Sequence, residues 1–261
     1  MGRMVIFGLG YSAQRIAALL TASGWEVRAT GSAGDLAFGD EAAVHAALEG
    51  ASHVLSSVPP ADGGDPVLAR YGEKLGSVEW LGYLSSTGVY GDTGGAWVDE
   101  SAPTGHGRRA DRSAADAAWL ARGGRVFRLP GIYGPGRSAL DRVRVGSAHR
   151  IDMPHQIFSR IHVDDLAAGV VAGLTGPAGA YNLADDLPAS QNAVVEEACR
   201  LLGAPLPPLR TLEEAQLSPM ARGFYAENRR VAKGKARRVL GWRPAFPTYR
   251  EGLAAILAAG G

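Results

Sequence analysis

A chain of 261 residues is long enough for one large domain, or for a domain with a smaller lobe, and it can bury a full core. Lys and Arg number 27 against 26 Asp and Glu, so the net charge of +1 gives no electrostatic reason to expect nucleic acid or an acidic membrane surface as partner. The single cysteine, Cys199, excludes an internal disulfide and a Cys-rich metal site. A reducing, cytoplasmic setting is therefore expected. No signal peptide is expected ahead of the first strand, and no apolar run reaches the roughly 18 residues of a membrane span.

Met4 to Phe7 is a short apolar run that reads as a buried strand, and Ile16, Leu19 and Leu20 recur at helical spacing up to Ser23-Gly24. Between them lies Gly8-Leu9-Gly10-Tyr11-Ser12-Ala13. A dinucleotide site needs this order of strand, glycine turn and helix. Gly8 permits the tight turn, Gly10 lets the backbone approach a pyrophosphate, and Ala13, in place of a third glycine, keeps helix and strand close. The free N–H groups of the first helical turn, at Tyr11 and Ser12, would hold the phosphates.

Trp25 to Thr30 reads as the second strand. An acidic residue near its end usually accepts from the ribose hydroxyls of NAD, but Thr30-Gly31-Ser32 stands there. Ser32 leaves NADP open, so the cofactor is NAD or NADP. Asp40 caps a helical pattern through Val44 and Leu48 to Gly50. His53 to Val58 is a buried strand stopped by Pro59-Pro60, Asp62 to Pro66 a loop, Val67 to Leu75 a short helix, and Trp80 to Ser86 a further strand. A turn-rich loop from Gly91 to Gly107 leads into an alanine-rich helix, roughly Arg109 to Ala121, followed by strands at Arg125 to Leu129 and Ala180 to Leu183. A helix over Asn192 to Leu202 buries Cys199.

Strands alternating with helices at this spacing predict an α/β fold, a doubly wound parallel sheet of the Rossmann type. Residues 1–132 and 157–183 form the expected dinucleotide-binding domain. Residues 133–156 and 184–261 lack the rhythm and are expected to form a small C-terminal substrate lobe over the carboxyl ends of the strands.

Four stretches behind the glycine turn, Leu84 to Gly91, Arg128 to Gly136, Ile161 to Ala167 and Leu240 to Pro244, together resemble the extended short-chain dehydrogenase/reductase family, the NAD-dependent sugar-nucleotide epimerases and dehydratases. The resemblance covers nearly the whole chain. It implies that Ser86 is the catalytic Ser or Thr that hydrogen-bonds the reacting hydroxyl or carbonyl. It also implies that Pro130, Gly131 and Ile132 lie against the nicotinamide, Val58 and Pro59 under the cofactor ribose, and Asp40 near the adenine. Asp164 and Asp165 precede a helical stretch, Leu166 to Leu174, and read as N-caps rather than catalysts, with His162 a packed strand residue.

The family's acid/base centre is a Tyr with a Lys four residues on, at the start of the helix after the long loop. Here no Tyr lies between Tyr90 and Tyr133 and no Lys between Lys74 and Lys233. With Asp116 in the place of the acidic residue four positions after the Lys, Arg108 replaces the Tyr and Arg112 the Lys. A Tyr of pKa ~10 must fall by roughly 3 units to work near neutral pH, whereas Arg, above ~12, leaves under about one molecule in 10⁵ deprotonated. Arg108 is thereby excluded as a general base. Arg112 remains as a fixed charge beside the nicotinamide ribose. Tyr133, Tyr90, His106 and Asp111 are the candidate replacement bases, each with an ordinary reading as packed aromatic, loop residue or helix-surface charge. No G-x-S-x-G, H-E-x-x-H or P-loop pattern offers other chemistry.

Residues 220–243 carry a basic run whose default reading is a solvated helix face. Because the family's C-terminal lobe meets the substrate, Arg229 and Arg230 are candidates for holding a substrate diphosphate. The expected protein is an NAD(P)-binding oxidoreductase of the epimerase/dehydratase type with an atypical active site. It acts on a small molecule, a sugar nucleotide first among the candidates, as a monomer or homodimer, without metal, nucleic acid or membrane. The alternative is a non-catalytic NAD(P)-binding redox sensor or regulatory protein.

Overall fold

The computed structural model describes residues 2–61, 64–108 and 110–260. Asp62 and Gly63 of the predicted loop, and Arg109 at the head of the alanine-rich helix, lie outside the described residues. The chain runs β1 (Arg3–Phe7), α1 (Tyr11–Ala22), β2 (Glu26–Ala29), α2 (Glu41–Glu49), β3 (His53–Ser56), α3 (Pro66–Tyr71), β4 (Trp80–Ser86), β5 (Trp97–Val98), α4 (Ala110–Ala121), β6 (Arg125–Leu129) and β7 (Gly131–Tyr133). It continues α5 (Ala139–Arg144), β8 (Arg150–Ile151), β9 (Arg160–His162), α6 (Val163–Ala172), β10 (Gly179–Asn182), α7 (Gln191–Leu202), β11 (Leu209–Arg210), α8 (Pro219–Phe224), β12 (Arg230–Val231), α9 (Gly234–Val239) and α10 (Tyr249–Ala258).

Six of these strands form one parallel sheet in the order β10-β6-β4-β3-β1-β2. Met4 and Ile6 of β1 pack on one face with Leu55, Phe127 and residues of α1 and α6 such as Ile16 and Leu166. Val5 and Phe7 pack on the other with Val54, Tyr83 and Val44, Tyr71 and Trp119 of α2, α3 and α4. A strand covered by helices on both faces has no solvent side, which is why β1 reads as an unbroken apolar run. The predicted doubly wound sheet is present. Its order reverses at β1, with β2 on one side and β3 on the other, and at such a switch point a crevice opens beyond the carboxyl ends of the strands.

Several element boundaries differ from expectation for identifiable reasons. β3 ends two residues early, at Ser56, and Ser57 donates its N–H to Phe7 O at 2.9 Å as the chain leaves the sheet. The helix expected through Leu75 stops as α3 at Tyr71 and tightens into a 3₁₀ turn, Gly72–Ser77, which contains two glycines. The long polar loop contains β5, which pairs with β12 from the far end of the chain.

α6 begins at Val163, and its N-cap is His162 rather than either aspartate: His162 Nδ1 accepts from Asp164 N at 3.2 Å. Asp165 instead clasps the C-terminal segment, accepting from Ala245 N at 2.6 Å and Phe246 N at 3.1 Å.

The lobe is built on α5, α7 and α10, which bury Leu140, Val194, Ala198, Tyr249, Leu253 and Ile256 among themselves. Ala236 of α9 and the following Trp242 pack with α6 against the sheet, so part of the C-terminal stretch joins the sheet core. Cys199 is buried in α7 as expected. The basic run does not form one helix face. It is divided among β12, α9 and separate partners, with Lys233 on Asp186 and Arg222 on Glu213. No described helix is long and apolar enough to cross a membrane.

Candidate active site

Between the carboxyl edge of the sheet and the lobe lies a cleft of about 890 Å³. Gly10, Tyr11, Ser12 and Ala13 line it from the glycine turn, and Ser86 and Arg112 from β4 and α4. Pro130, Gly131, Ile132 and Tyr133 come from the β6–β7 strap, and Arg229 from the segment before β12. The structure thus gathers eleven sequence-predicted residues at one place.

The glycine turn shows why it must be built this way. Gly8 has φ +86° and donates its N–H to Thr30 Oγ1 at 3.0 Å, and a Cβ there would stand 3.0 Å from Ser57 Oγ. Gly8 does not line the cleft; it ties the end of β1 to Thr30 after β2 and, through its carbonyl, to the Ser57 hydroxyl after β3. Gly10 is the N-cap of α1, with no side-chain cap and no acidic residue in the first turn, and a Cβ there would meet no atom within 4 Å. The N–H groups and positive dipole end of a 12-residue helix therefore open directly onto the cleft. Tyr11 OH donates to Pro135 O at 3.1 Å, and the Arg137 guanidinium lies 4.9 Å over the Tyr11 ring.

Besides Gly8, five predicted residues fall outside the cleft. Ser32 is exposed beyond β2, and Asp40 accepts from Ala43 N at 3.1 Å as the N-cap of α2. Val58 and Pro59 give way to Ser57 as the wall residue after β3, because β3 ends early. Arg230 turns away and donates to Gly95 O, since neighbours on a strand point to opposite sides and Arg229 takes the inward direction.

Around Arg108 and Arg112, the side chains are committed elsewhere. Arg112 donates to Tyr83 OH at 3.1 Å, and burial pushes that phenol up to about 12. Arg108 does not line the cleft; its Nε lies 3.3 Å from Glu227 Oε1, and its backbone N–H donates to the same oxygen at 3.0 Å. Glu227 also pairs with Arg229 at 2.9 Å. Burial acts to raise the Glu227 carboxyl, yet these bonds hold it below the usual carboxylate range.

None of the expected replacement bases aims its ionisable group into the cleft. Tyr90 donates to Asn182 Oδ1 at 2.8 Å and accepts from Arg128 at 3.1 Å, deep in a buried network. The Tyr133 ring forms part of the wall, but its hydroxyl points to Thr248 O at 3.5 Å, and burial with Asp185 nearby raises its pKa well above the ordinary phenol value. That direction withdraws Tyr133 as a proton donor to the cleft. His106 and Asp111 are exposed and line no part of it.

Arg137, Arg142, His149, Arg160 and Glu227 are cleft residues that sequence reasoning did not select. Arg160 immediately precedes the motif stretch Ile161 to Ala167, two residues before His162, which was the one available signal. A pH prediction arises beside it. Asp185 is buried, its Oδ2 has no hydrogen-bond partner among the described residues, and burial raises its pKa from 3.8 to about 7. Between those values the folded protein holds a proton that the unfolded chain has released, so Asp185 lowers stability as pH rises through the window, by at most about 1.36 kcal/mol per pH unit, and has no further effect above it. Urea midpoints from pH 4.5 to 7.5 should therefore fall more steeply for the wild type than for Asp185→Asn. Parallel curves would remove Asp185 as their cause.

The strand order and the cleft at the switch point define a doubly wound fold of the Rossmann type. No family model matches the chain. The chain belongs to one family with a conserved protein of unknown function from Silicibacter pomeroyi, 38% identical, with 99% of each chain covered and a TM-score of 0.89. Human epimerase family protein SDR39U1, solved with NADPH, aligns over 98% of this chain and 99% of its own at 18% identity and TM-score 0.76. dTDP-glucose 4,6-dehydratase from Bacillus anthracis, solved with NAD, aligns over 99% and 96% at 16% identity and TM-score 0.75. The chain has the fold of these proteins. A Streptomyces protein described as a 3-diazoavenalumate denitrifying reductase is 35% identical over 143 residues, 50% of this chain and 46% of that one, so the match spans about half the length of this curated relative.

Proposed function

We propose that the protein is an NAD(P)-dependent oxidoreductase acting on a small polar molecule in the cleft, without the family's Tyr-Lys proton relay. One observation carries the reading: the uncapped N-terminus of α1 at Gly10 opens onto the same cleft that Ser86 and Pro130 to Ile132 line. The neighbours solved with NADPH and NAD support it, as does the reductase relative. In this reading the first turn of α1 holds the pyrophosphate and the Pro130–Ile132 strap backs the nicotinamide. The bound cofactor supplies or accepts hydride. Ser86 Oγ accepts from Gly88 N at 3.1 Å, which leaves its own proton to donate to a substrate oxygen. Arg112 and Arg229 supply fixed positive charge where negative charge develops on the substrate. Protons come from water in the open cleft, since none of Tyr90, Tyr133, His106 and Asp111 aims its ionisable group there.

A sugar nucleotide is the first substrate class to test, by the likeness to epimerases and dehydratases. A non-catalytic redox sensor is the second reading, favoured by the commitment of Tyr90, Tyr133 and Arg108 to other partners. Absorbance of the reduced nicotinamide, with product analysis because epimerases consume no net cofactor, separates the two. Turnover supports the enzyme, and tight cofactor binding with no turnover across a broad screen favours the sensor.

The cofactor end carries its own prediction. At the end of β2, Asp35 is held by Ala29 N at 2.8 Å and by Arg28, so neither its charge nor that of Arg28 is free to select a ribose hydroxyl or a 2′-phosphate. NADH and NADPH should bind with affinities within about a hundredfold of each other, or about 2.7 kcal/mol at ~1.36 kcal/mol per tenfold. Calorimetry showing a larger preference for either would contradict this account of the β2 end.

A further inference from the structure

The ionisable side chains lining the cleft are strongly one-sided: five arginines and one histidine face a single carboxylate, Glu227, which is already paired with Arg108 and Arg229. Arg112 and Arg137 belong to the cofactor end, near β4 and the Tyr11 ring. That leaves Arg142, His149 and Arg160 at the lobe end, where no carboxylate lies within 4 Å of either guanidinium among the described residues.

Arg160 is 6% exposed. Its Nη1 donates to Phe158 O and Ala189 O at 2.9 and 2.8 Å, and its Nη2 to Ser190 O and Gln191 Oε1 at 3.4 and 3.2 Å. These bonds fix the guanidinium but leave its charge without a counter-ion in contact. Arg142 makes no side-chain hydrogen bond among the described residues. Burial lowers the pKa of Arg142 and His149 and brings Arg160 down to about 10, and Arg142 acts as a like charge on both of the others. Asp185, the carboxylate that acts on Arg160, is itself held up by burial and makes no ion pair with it, so two guanidiniums beside an imidazole at the cleft wall are electrostatically unfavourable, and an anionic ligand relieves them. Beside the cluster stand Phe158 and Tyr225, edge to face with centroids 5.4 Å apart, which provide flat apolar surface.

We propose that the lobe end of the cleft binds the carboxylate of an aromatic acid, with Arg142, His149 and Arg160 around the carboxylate and the ring against Phe158 and Tyr225. The proposal rests on the oxidoreductase reading for its meaning as a substrate site, but the binding itself is separable. A compact anion fits the donor supply, because all four Nη hydrogens of Arg160 are engaged and only its Nε–H remains to join Arg142 and His149. An aromatic group fits the adjoining walls.

The test is calorimetry with cinnamate, cinnamamide and UDP-glucose, each titrated into the NADPH-saturated and the cofactor-free protein. Cinnamate should bind at least about tenfold more tightly than cinnamamide, which has the same ring and no charge. Arg142→Met should weaken cinnamate at least about tenfold while NADPH affinity stays within about twofold, since the Arg142 side chain makes no hydrogen bond or ion pair among the described residues and lies at the lobe end of the cleft. Equal binding of acid and amide, no binding of cinnamate, or tighter binding of UDP-glucose than of cinnamate would overturn the proposal. Failure of NADPH to bind the wild type would sink the oxidoreductase reading alone, because the cofactor-free titration still reads the anion site.

Discussion

Gly10→Asp should leave the protein folded and weaken both NADH and NADPH by at least about a hundredfold. The two halves of this expectation have separate causes. Gly10 has φ −85° and ψ −171°, an extended conformation open to any residue, and it occupies the N-cap of α1 with free space where a Cβ would go. Asp is among the best N-cap residues, and its charge complements the helix dipole, so α1 gains a few tenths of a kcal/mol or stays level. The same carboxylate would occupy the N–H groups proposed to hold the pyrophosphate and repel its charge. Two like charges ~4 Å apart at an effective dielectric of ~20 interact by about 4 kcal/mol, and the hundredfold figure allows for solvent screening. Thermal melting would report the fold and calorimetry the affinity. A folded variant with unchanged affinity would move the cofactor away from this turn.

Asp116→Ala should be the most destabilising single change near the site, by about 3–5 kcal/mol. Asp116 and Arg128 are 1% and 3% exposed, and the carboxylate takes two bonds from the guanidinium, at 2.7 and 3.1 Å. Ser85 Oγ donates to the same carboxylate at 2.6 Å. Through these bonds Asp116 ties α4 to β4 and β6, and so sets where Arg112, one turn earlier on α4, enters the cleft. Removing the carboxylate leaves Arg128 buried with only the Tyr90 hydroxyl to accept from it. Replacing both members, Asp116→Leu with Arg128→Met, should recover much of the loss because no uncompensated charge is then buried. Urea unfolding of the single and double variants would measure this. A single variant within about 1 kcal/mol of the wild type would show that the pair is not needed to hold α4.

The legible parts of the site were those set by short-range rules. Strand, glycine turn and helix were readable from Met4 to Leu20 because a buried parallel strand is apolar throughout, a helix repeats at 3.6 residues, and the turn between them needs glycine for its backbone. Ser86 and Pro130 to Ile132 followed from the family motifs at strand ends, and they line the cleft because the carboxyl ends of parallel strands converge at the switch point. The absence of a Tyr or Lys where the family has them is a property of the residues alone, independent of how the loop folds.

By itself, then, the amino-acid sequence determined the doubly wound sheet, the glycine turn and the absence of any Tyr between Tyr90 and Tyr133 or any Lys between Lys74 and Lys233. The tertiary structure alone decided which side chains face the cleft. Tyr133 sits in the wall with its hydroxyl turned to Thr248, while Arg229 points inward and its neighbour Arg230 points away. His162, rather than an aspartate, caps α6, which frees Asp165 to clasp residues 80 positions later. The polar loop becomes a strand only because β12 arrives beside it, and Arg142, His149 and Arg160 meet only because the lobe folds over the sheet. Periodicity assigns a residue to an element and a face, but the direction of a polar side chain depends on partners that packing brings from distant parts of the chain.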